Sequence, residues 1–167
     1  MIQHRSVVTI LSAVALVVTA CGGSSSGPTS PSSSLAEVES LSFQLVNQER
    51  SENEVEPMLR AESALDRIAR EYSEAMRDQG FFSHVAPDGT TLADRLAAAG
   101  ISFSYAGENL ARVSNAANPA TYAHQLLMQN PQHRGNILSS NFIELGVGVA
   151  AEGDTIWLTQ VFVRPSN

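Results

Sequence analysis

The stretch LGVGVAAEGDTIWLTQVFV, residues 145–163, decides between fold classes. Leu145, Val147 and Val149 alternate with Gly146, Gly148 and Ala150, the period of two that marks a strand with one bulky face. Glu152-Gly153-Asp154 then turns the chain into a second apolar run from Ile156 to Val163, so the pair reads as an antiparallel hairpin. The glycines strip one face of side chains, which suits a helix packed closely across the sheet.

The chain before the hairpin follows a different period. Leu35, Val38, Leu41, Leu45 and Val46 fall at steps of three and four, which predicts an amphipathic helix over 35–52. A second is predicted over 61–79, with Ala64, Leu65, Ile68, Ala69, Tyr72, Ala75 and Met76 on one face and Gly80 as its stop. Phe81 and Phe82 are expected to anchor its end in the core. Thr91 and Asp94 fit a capping pattern that opens a short helix through Leu92, Leu96 and Ala97, closed by Gly100. Residues 101–113 are mixed in character, whereas 117–129 has helical composition with Pro119 in its first turn. Asn130-Pro131 is expected to end that helix, and a further short turn from Asn136 has His133 as its candidate cap. Helices early and a hairpin late, without βαβ alternation, favour an α+β layered domain.

Residues 1–20 read as a secretory signal: His4 and Arg5 are followed by an apolar run from Val7 to Val18, too short for a comfortable membrane span. Val18-Thr19-Ala20-Cys21 resembles a bacterial lipobox, which implies a lipid on Cys21 and, through it, membrane attachment. Residues 21–34 form a Gly/Ser/Pro-rich tether that can bury little apolar surface, and 35–167 is the globular domain. The expected location is export, with lipid anchoring at the bacterial cell envelope. Cys21 is the sole cysteine, so no intrachain disulfide is possible and the domain relies on its core. Without residues 1–20 the chain has nine arginines, no lysine and seventeen acids, a formal charge of −8. Such a domain repels phosphate backbones, which excludes nucleic acid as an expected partner.

Three histidines lie beyond the leader: His84, His124 and His133. His124 falls within a predicted helix and suits a surface or packing role. His84, in FFSHVAPDGT, and His133, in NPQHRGN, flank turns, where rigid elements position functional groups. Either could equally be a solvated loop residue. Glu108 stands among Tyr105, Ala106 and Leu110, and a carboxylate there is either solvated or paired, because burying it alone is costly. Glu144, between Ile143 and Leu145, reads as a surface strand position or a second acid of a site. No Gly-x-Ser-x-Gly elbow, phosphate-binding Gly-Lys loop or His-Glu-x-x-His motif is present.

Four blocks in order, FSHVAPDG (82–89), AGENLA (106–111), NPQHRGNIL (130–138) and FIELGVG (142–148), resemble the signatures of the CAP superfamily. This is the group of cysteine-rich secretory proteins, antigen 5 and plant pathogenesis-related proteins. The resemblance implies a three-layer α-β-α sandwich with a central antiparallel sheet, and a cleft lined by His84, His133 and Glu108. Where eukaryotic members carry a tryptophan and a further acid, this chain has Leu127 and Asn130; the resemblance implies Glu144 as the replacement acid. Two neutral imidazoles, His84 and His133, can bind a divalent ion such as Zn²⁺, with carboxylates orienting the rings or completing the shell. Three functions stay open: a binding module for a metal, a lipid or another extracellular ligand; a metal-assisted hydrolase with Glu108 or Glu144 as general base; and a structural envelope domain.

Overall fold

The computed structural model of the chain describes residues 34–166. The leader, Cys21 and all of the tether but Ser34 lie outside the described residues. Five helices and four strands follow in the order α1 (Leu35–Glu52), β1 (Arg60–Ala61), α2 (Ser63–Asp78), α3 (Leu92–Ala98), β2 (Phe103–Ser114), α4 (Pro119–Gln129), α5 (Pro131–Ile137), β3 (Glu144–Glu152) and β4 (Thr155–Pro165). The strands are ordered β1-β3-β4-β2 in one sheet.

Local sequence explains most boundaries. Ser34 and Glu37 form a capping box at the start of α1, and Thr91 and Asp94 form the one expected at α3. Gly80 follows α2 with φ of 69°, a left-handed conformation that favours glycine at a helix end. The hairpin of β3 and β4 runs from Glu144↔Val163 to Glu152↔Thr155, closing on Gly153 as expected.

The alternation along β4 sends its side chains into two cores. Ile156, Leu158 and Phe162 pack with Val38 and Val46 of α1, with Ala123 and Leu127 of α4 and with Ile137 of α5. Val161 and Val163 pack on the other face against Leu65, Ile68 and Ala69 of α2 and Leu96 of α3. The result is a three-layer α-β-α sandwich of α+β class, in which each fully buried Leu, Ile or Phe contributes roughly 1.5–3 kcal/mol. Glycine lets α2 lie directly on the sheet: a Cβ on Gly146 would overlap the backbone of Leu65, and one on Gly148 that of Ala69 and Arg70.

Several expectations need correction. The sheet is mixed: β2–β4 and β3–β4 are antiparallel, but β1 pairs parallel with β3 through Arg60↔Glu144 and Ala61↔Leu145. That pairing claims Ala61 for a strand, so α2 begins at Ser63. Residues 103–114 form the long strand β2. Asn130-Pro131 starts α5, because Pro131 lacks only an N–H that a first-turn residue does not use. The Asn130 side chain accepts from the N–H groups of Gln132 and His133, so His133 lies inside that helix and is not its cap. Phe81 packs edge-on to Tyr72 at 5.8 Å, but Phe82 is exposed.

Candidate functional site at the open edge of the sheet

Strand β2 lies at one edge of the sheet, and its central dipeptide serves both helical layers. Successive side chains of a strand point to opposite faces. Glu108 pairs with Val161 and points to the face covered by α2 and α3, whereas Asn109 pairs with Gln160 and points toward α1 and α5.

On the first face the Glu108 carboxylate is almost wholly buried, its side chain only 4% exposed, yet both of its oxygens are used. Oε1 lies 2.8 Å from Nδ1 of His84, and Oε2 accepts from Arg95 Nη2 at 2.8 Å. The Arg95 guanidinium is itself fixed, stacked 3.3 Å above the Tyr72 ring. The Tyr72 hydroxyl donates to the Ser83 carbonyl at 2.6 Å, one residue before His84. Tyr72 and Arg95 therefore anchor both the carboxylate and the loop that carries its histidine. Sequence reading missed both residues; the only local sign was Tyr72 on the apolar face of α2.

On the second face Asn109 is fully buried and donates to the His133 carbonyl at 3.1 Å and to Gln160 Oε1 at 3.1 Å. Asn136 donates through Nδ2 to the Glu108 carbonyl at 3.2 Å and to Asn109 Oδ1 at 2.9 Å. These bonds tie α5 to β2 and set the depth of His133. Gly107 permits the approach, since a Cβ there would come within 3.1 Å of Asn136 Oδ1 on α5 and 2.8 Å of the Phe142 ring beyond it. The far end of α5 is held by Arg50 of α1, buried completely, which donates to the carbonyls of Ile137 and Ser139 at 2.8 Å each and also to Pro57.

The two histidines thus come from opposite layers and meet at the edge, their ring centroids 6.3 Å apart and inclined at 61°. Burial, with a smaller contribution from the charge of His84, holds the His133 imidazole below its ordinary pKa, which favours the neutral ring. His84, Glu108 and His133 are therefore brought together. Glu144 is placed elsewhere: it sits beyond β4 on β3 and two residues along the ladder, ~12 Å from Glu108 by strand spacing and rise, and its carboxylate accepts from Arg60 at 2.7 Å. Leu127 is buried in the core and Asn130 caps α5, so neither supplies an acid. His124 is buried with Nε2 3.4 Å from Glu49 Oε1, in keeping with a packing role. Among the described residues no group of three or more His, Cys, Asp or Glu side chains is gathered for a metal. An ion here would have two imidazole nitrogens and otherwise water.

A groove of about 560 Å³ between α2, α3 and the turn at 86–90 adjoins this network, and Tyr72 and Arg95 line it. No helix among the described residues is long and apolar enough to cross a membrane.

A three-layer α-β-α sandwich with two histidines and a buried glutamate at the edge of its sheet defines the class as an SCP-like domain. The sequence signature of the cysteine-rich secretory protein (CAP) family matches residues 43–162, and the chain belongs to that family. It is 35% identical over 135 residues to YkwD of Bacillus subtilis, an uncharacterized protein, covering 81% of this chain and 50% of that one. Among solved structures, an extracellular SCP-domain protein of Bacillus anthracis is 32% identical with a TM-score of 0.69, covering 77% of this chain and 41% of that one. An outer surface protein of Borrelia burgdorferi has a TM-score of 0.72 at 16% identity, covering 80% of this chain and 96% of that one, a likeness of fold. The chain spans about half the length of YkwD and less of the Bacillus anthracis protein.

Proposed function

We propose that the chain is an exported, lipid-anchored binding domain that uses His84 and His133 to hold a divalent ion such as Zn²⁺, with Glu108 orienting His84. The observation that carries this reading is the 2.8 Å contact between His84 Nδ1 and Glu108 Oε1. A carboxylate that accepts the Nδ1 proton fixes the tautomer and leaves Nε2 as a lone-pair donor, the usual arrangement behind a metal-binding histidine. Ring centroids 6.3 Å apart are compatible with one ion between them, given Zn–N bonds of ~2.0–2.1 Å on either side. The depressed pKa of His133 supports the same chemistry, since a ligand must be unprotonated. One protein of similar fold, NaASP2, was solved with Zn²⁺. Export agrees with the description of the Bacillus anthracis relative as extracellular; the lipid on Cys21 rests on the lipobox resemblance.

Hydrolysis is the weaker reading. Both oxygens of Glu108 are held, by His84 and Arg95, and Glu144 accepts from Arg60, so neither candidate general base is free to take a proton from a metal-bound water. Titration of Zn²⁺ into the wild type and the His84→Ala/His133→Ala double variant tests the proposal. Saturable binding that disappears in the double variant is expected; equal binding by both proteins would refute it.

A further inference from the structure

The backbone of β2 offers a second site beside the histidines. On β3 the N–H groups of Val147 and Val149 bond to Asp66 and Glu39, and the Leu145 carbonyl accepts from Glu62, so these three residues turn their polar groups away from β4. Their partners on β4, Phe162, Gln160 and Leu158, therefore face β2 and bond there to Gly107, Asn109 and Ala111. The intervening residues of β2 turn outward, as the Glu108 carbonyl shows by accepting from Asn136. Beyond that contact the outward N–H and C=O groups of Leu110, Arg112 and Ser114 have no partner among the described residues. Leu110, nearly buried, ends this stretch against the core, and Arg112 and Ser114 are exposed.

We propose that the edge of β2 over residues 110–114 binds an extended acidic peptide of another protein as an added antiparallel strand centred on Arg112. An unpaired edge is a template for a further strand, and main-chain hydrogen bonds supply the affinity. Apolar side chains stand exposed on both of its flanks. Phe82 lies 5.7 Å from the Arg112 guanidinium on the α2 side, and Tyr122 of α4 shares a groove of about 430 Å³ with Ser114 on the other. Charge selects the partner: no acid occurs between Glu108 and Glu144, a stretch that carries Arg112, Arg134, His124 and His133 in a chain otherwise rich in acids. The same charge disfavours a second copy of this chain, because the register that pairs all of 110–114 with itself sets Arg112 opposite Arg112. None of this depends on His84 and His133 holding an ion.

Directly opposed residues of paired strands share a face. The residue opposite Arg112 is therefore the acid, and its two neighbours, which point to the other face, meet the Tyr122 side. The probe is the fluorescein-labelled heptapeptide Ser-Thr-Val-Glu-Val-Thr-Ser, with two controls: one carries glutamine for the glutamate, the other an N-methyl group on the glutamate. Anisotropy is read with excess EDTA present, so the result is independent of the metal-binding reading. Saturable binding of the probe is expected, weakened about threefold by the glutamine exchange, the scale of an exposed ion pair. N-methylation should weaken it about tenfold, through the lost hydrogen bond and the carbonyl left unpaired.

Two variants test the protein side. Arg112→Gln keeps the outward N–H and should abolish the preference for glutamate over glutamine. Arg112→Pro removes that N–H without touching the ladder to β4, a position where an edge strand tolerates proline, and should weaken both peptides about tenfold. Absence of saturable binding to the wild type, or equal binding of the N-methylated peptide, would overturn the proposal. Equal binding of the glutamate and glutamine peptides would overturn its acidic specificity. Should Arg112→Pro not fold, the N-methylated peptide with the wild type carries the backbone test. Sedimentation of the wild type alone completes the set: a dimer that Arg112→Pro dissolves would make the occupant a second copy and refute the acidic partner.

Discussion

The two edges of the sheet use carboxylates for opposite ends. At the β3 edge, β1 pairs only with Glu144 and Leu145, and beyond it the strand would present bare N–H groups. Asp66 of α2 accepts from Val147 N–H at 2.8 Å and Glu39 of α1 accepts from Val149 N–H at 3.0 Å, so acids from two helical layers finish the ladder. At the β2 edge, Glu108 points to side chains, Arg95 and the His84 ring. A carboxylate that accepts from strand N–H groups closes an edge, even where an arginine also holds it, as Arg70 holds Glu39; one that faces a loop histidine leaves an edge with chemistry to offer. Edges invite pairing with other chains, and this domain blunts one while building on the other.

That contrast can be broken most severely at the closed side. Gly148→Ala drives a methyl group into the backbone of α2 and should destabilise the domain by about 3 kcal/mol, the upper range for overpacking, while Gly153→Ala, whose added Cβ would meet nothing within 4 Å, should cost far less despite its φ of 55°. Chemical denaturation of the two variants measures the difference. Next in size is the acid that finishes the ladder. Asp66→Ala should cost about 1–2 kcal/mol by orphaning a backbone donor, whereas Asp66→Asn keeps an acceptor oxygen. Burial raises the Asp66 pKa, so removing its charge should make the Asn variant nearly as stable as wild type at neutral pH. Equal losses in both variants would show that the hydrogen bond to Val147 is not what closes this edge.

The smallest effect belongs to the open side and appears only with pH. His133 titrates below its ordinary value in the folded state, so the unfolded chain binds the proton more readily. Its contribution to stability is present above ~6.5, the unfolded value, and is lost as pH falls from there through the depressed folded pKa. Thermal unfolding between neutral and mildly acidic pH should therefore show a wild-type decline that His133→Gln lessens. Parallel curves for the two proteins would contradict the assigned shift.

Much of this architecture is legible in local sequence. The cap pairs Ser34/Glu37 and Thr91/Asp94, the apolar face of α2 and the hairpin around Gly153 are short-range devices, and helical period or turn chemistry reveals them. Strand β2 hides because its alternation is broken at its centre, where both Glu108 and Asn109 are buried. Their burial is made tolerable by partners distant in sequence: Arg95 and His133 from the helical layers and Gln160 from the neighbouring strand. The His84, Glu108 and His133 blocks carried the family resemblance, but their convergence follows from a strand that sends neighbouring side chains to opposite faces. Glu144 illustrates the limit: its position in a matching block gave no sign of the Arg60 pairing that occupies it.

The buried Arg50 has a further consequence. Its guanidinium joins α1, the Pro57 carbonyl and the end of α5 across more than eighty residues of sequence, the kind of span a disulfide often covers. Residues 34–166 contain no cysteine, although the family is described as cysteine-rich. The long-range tie of this domain is therefore made of hydrogen bonds that no reductant can cut, and the fold should be indifferent to the redox state of whatever compartment holds it.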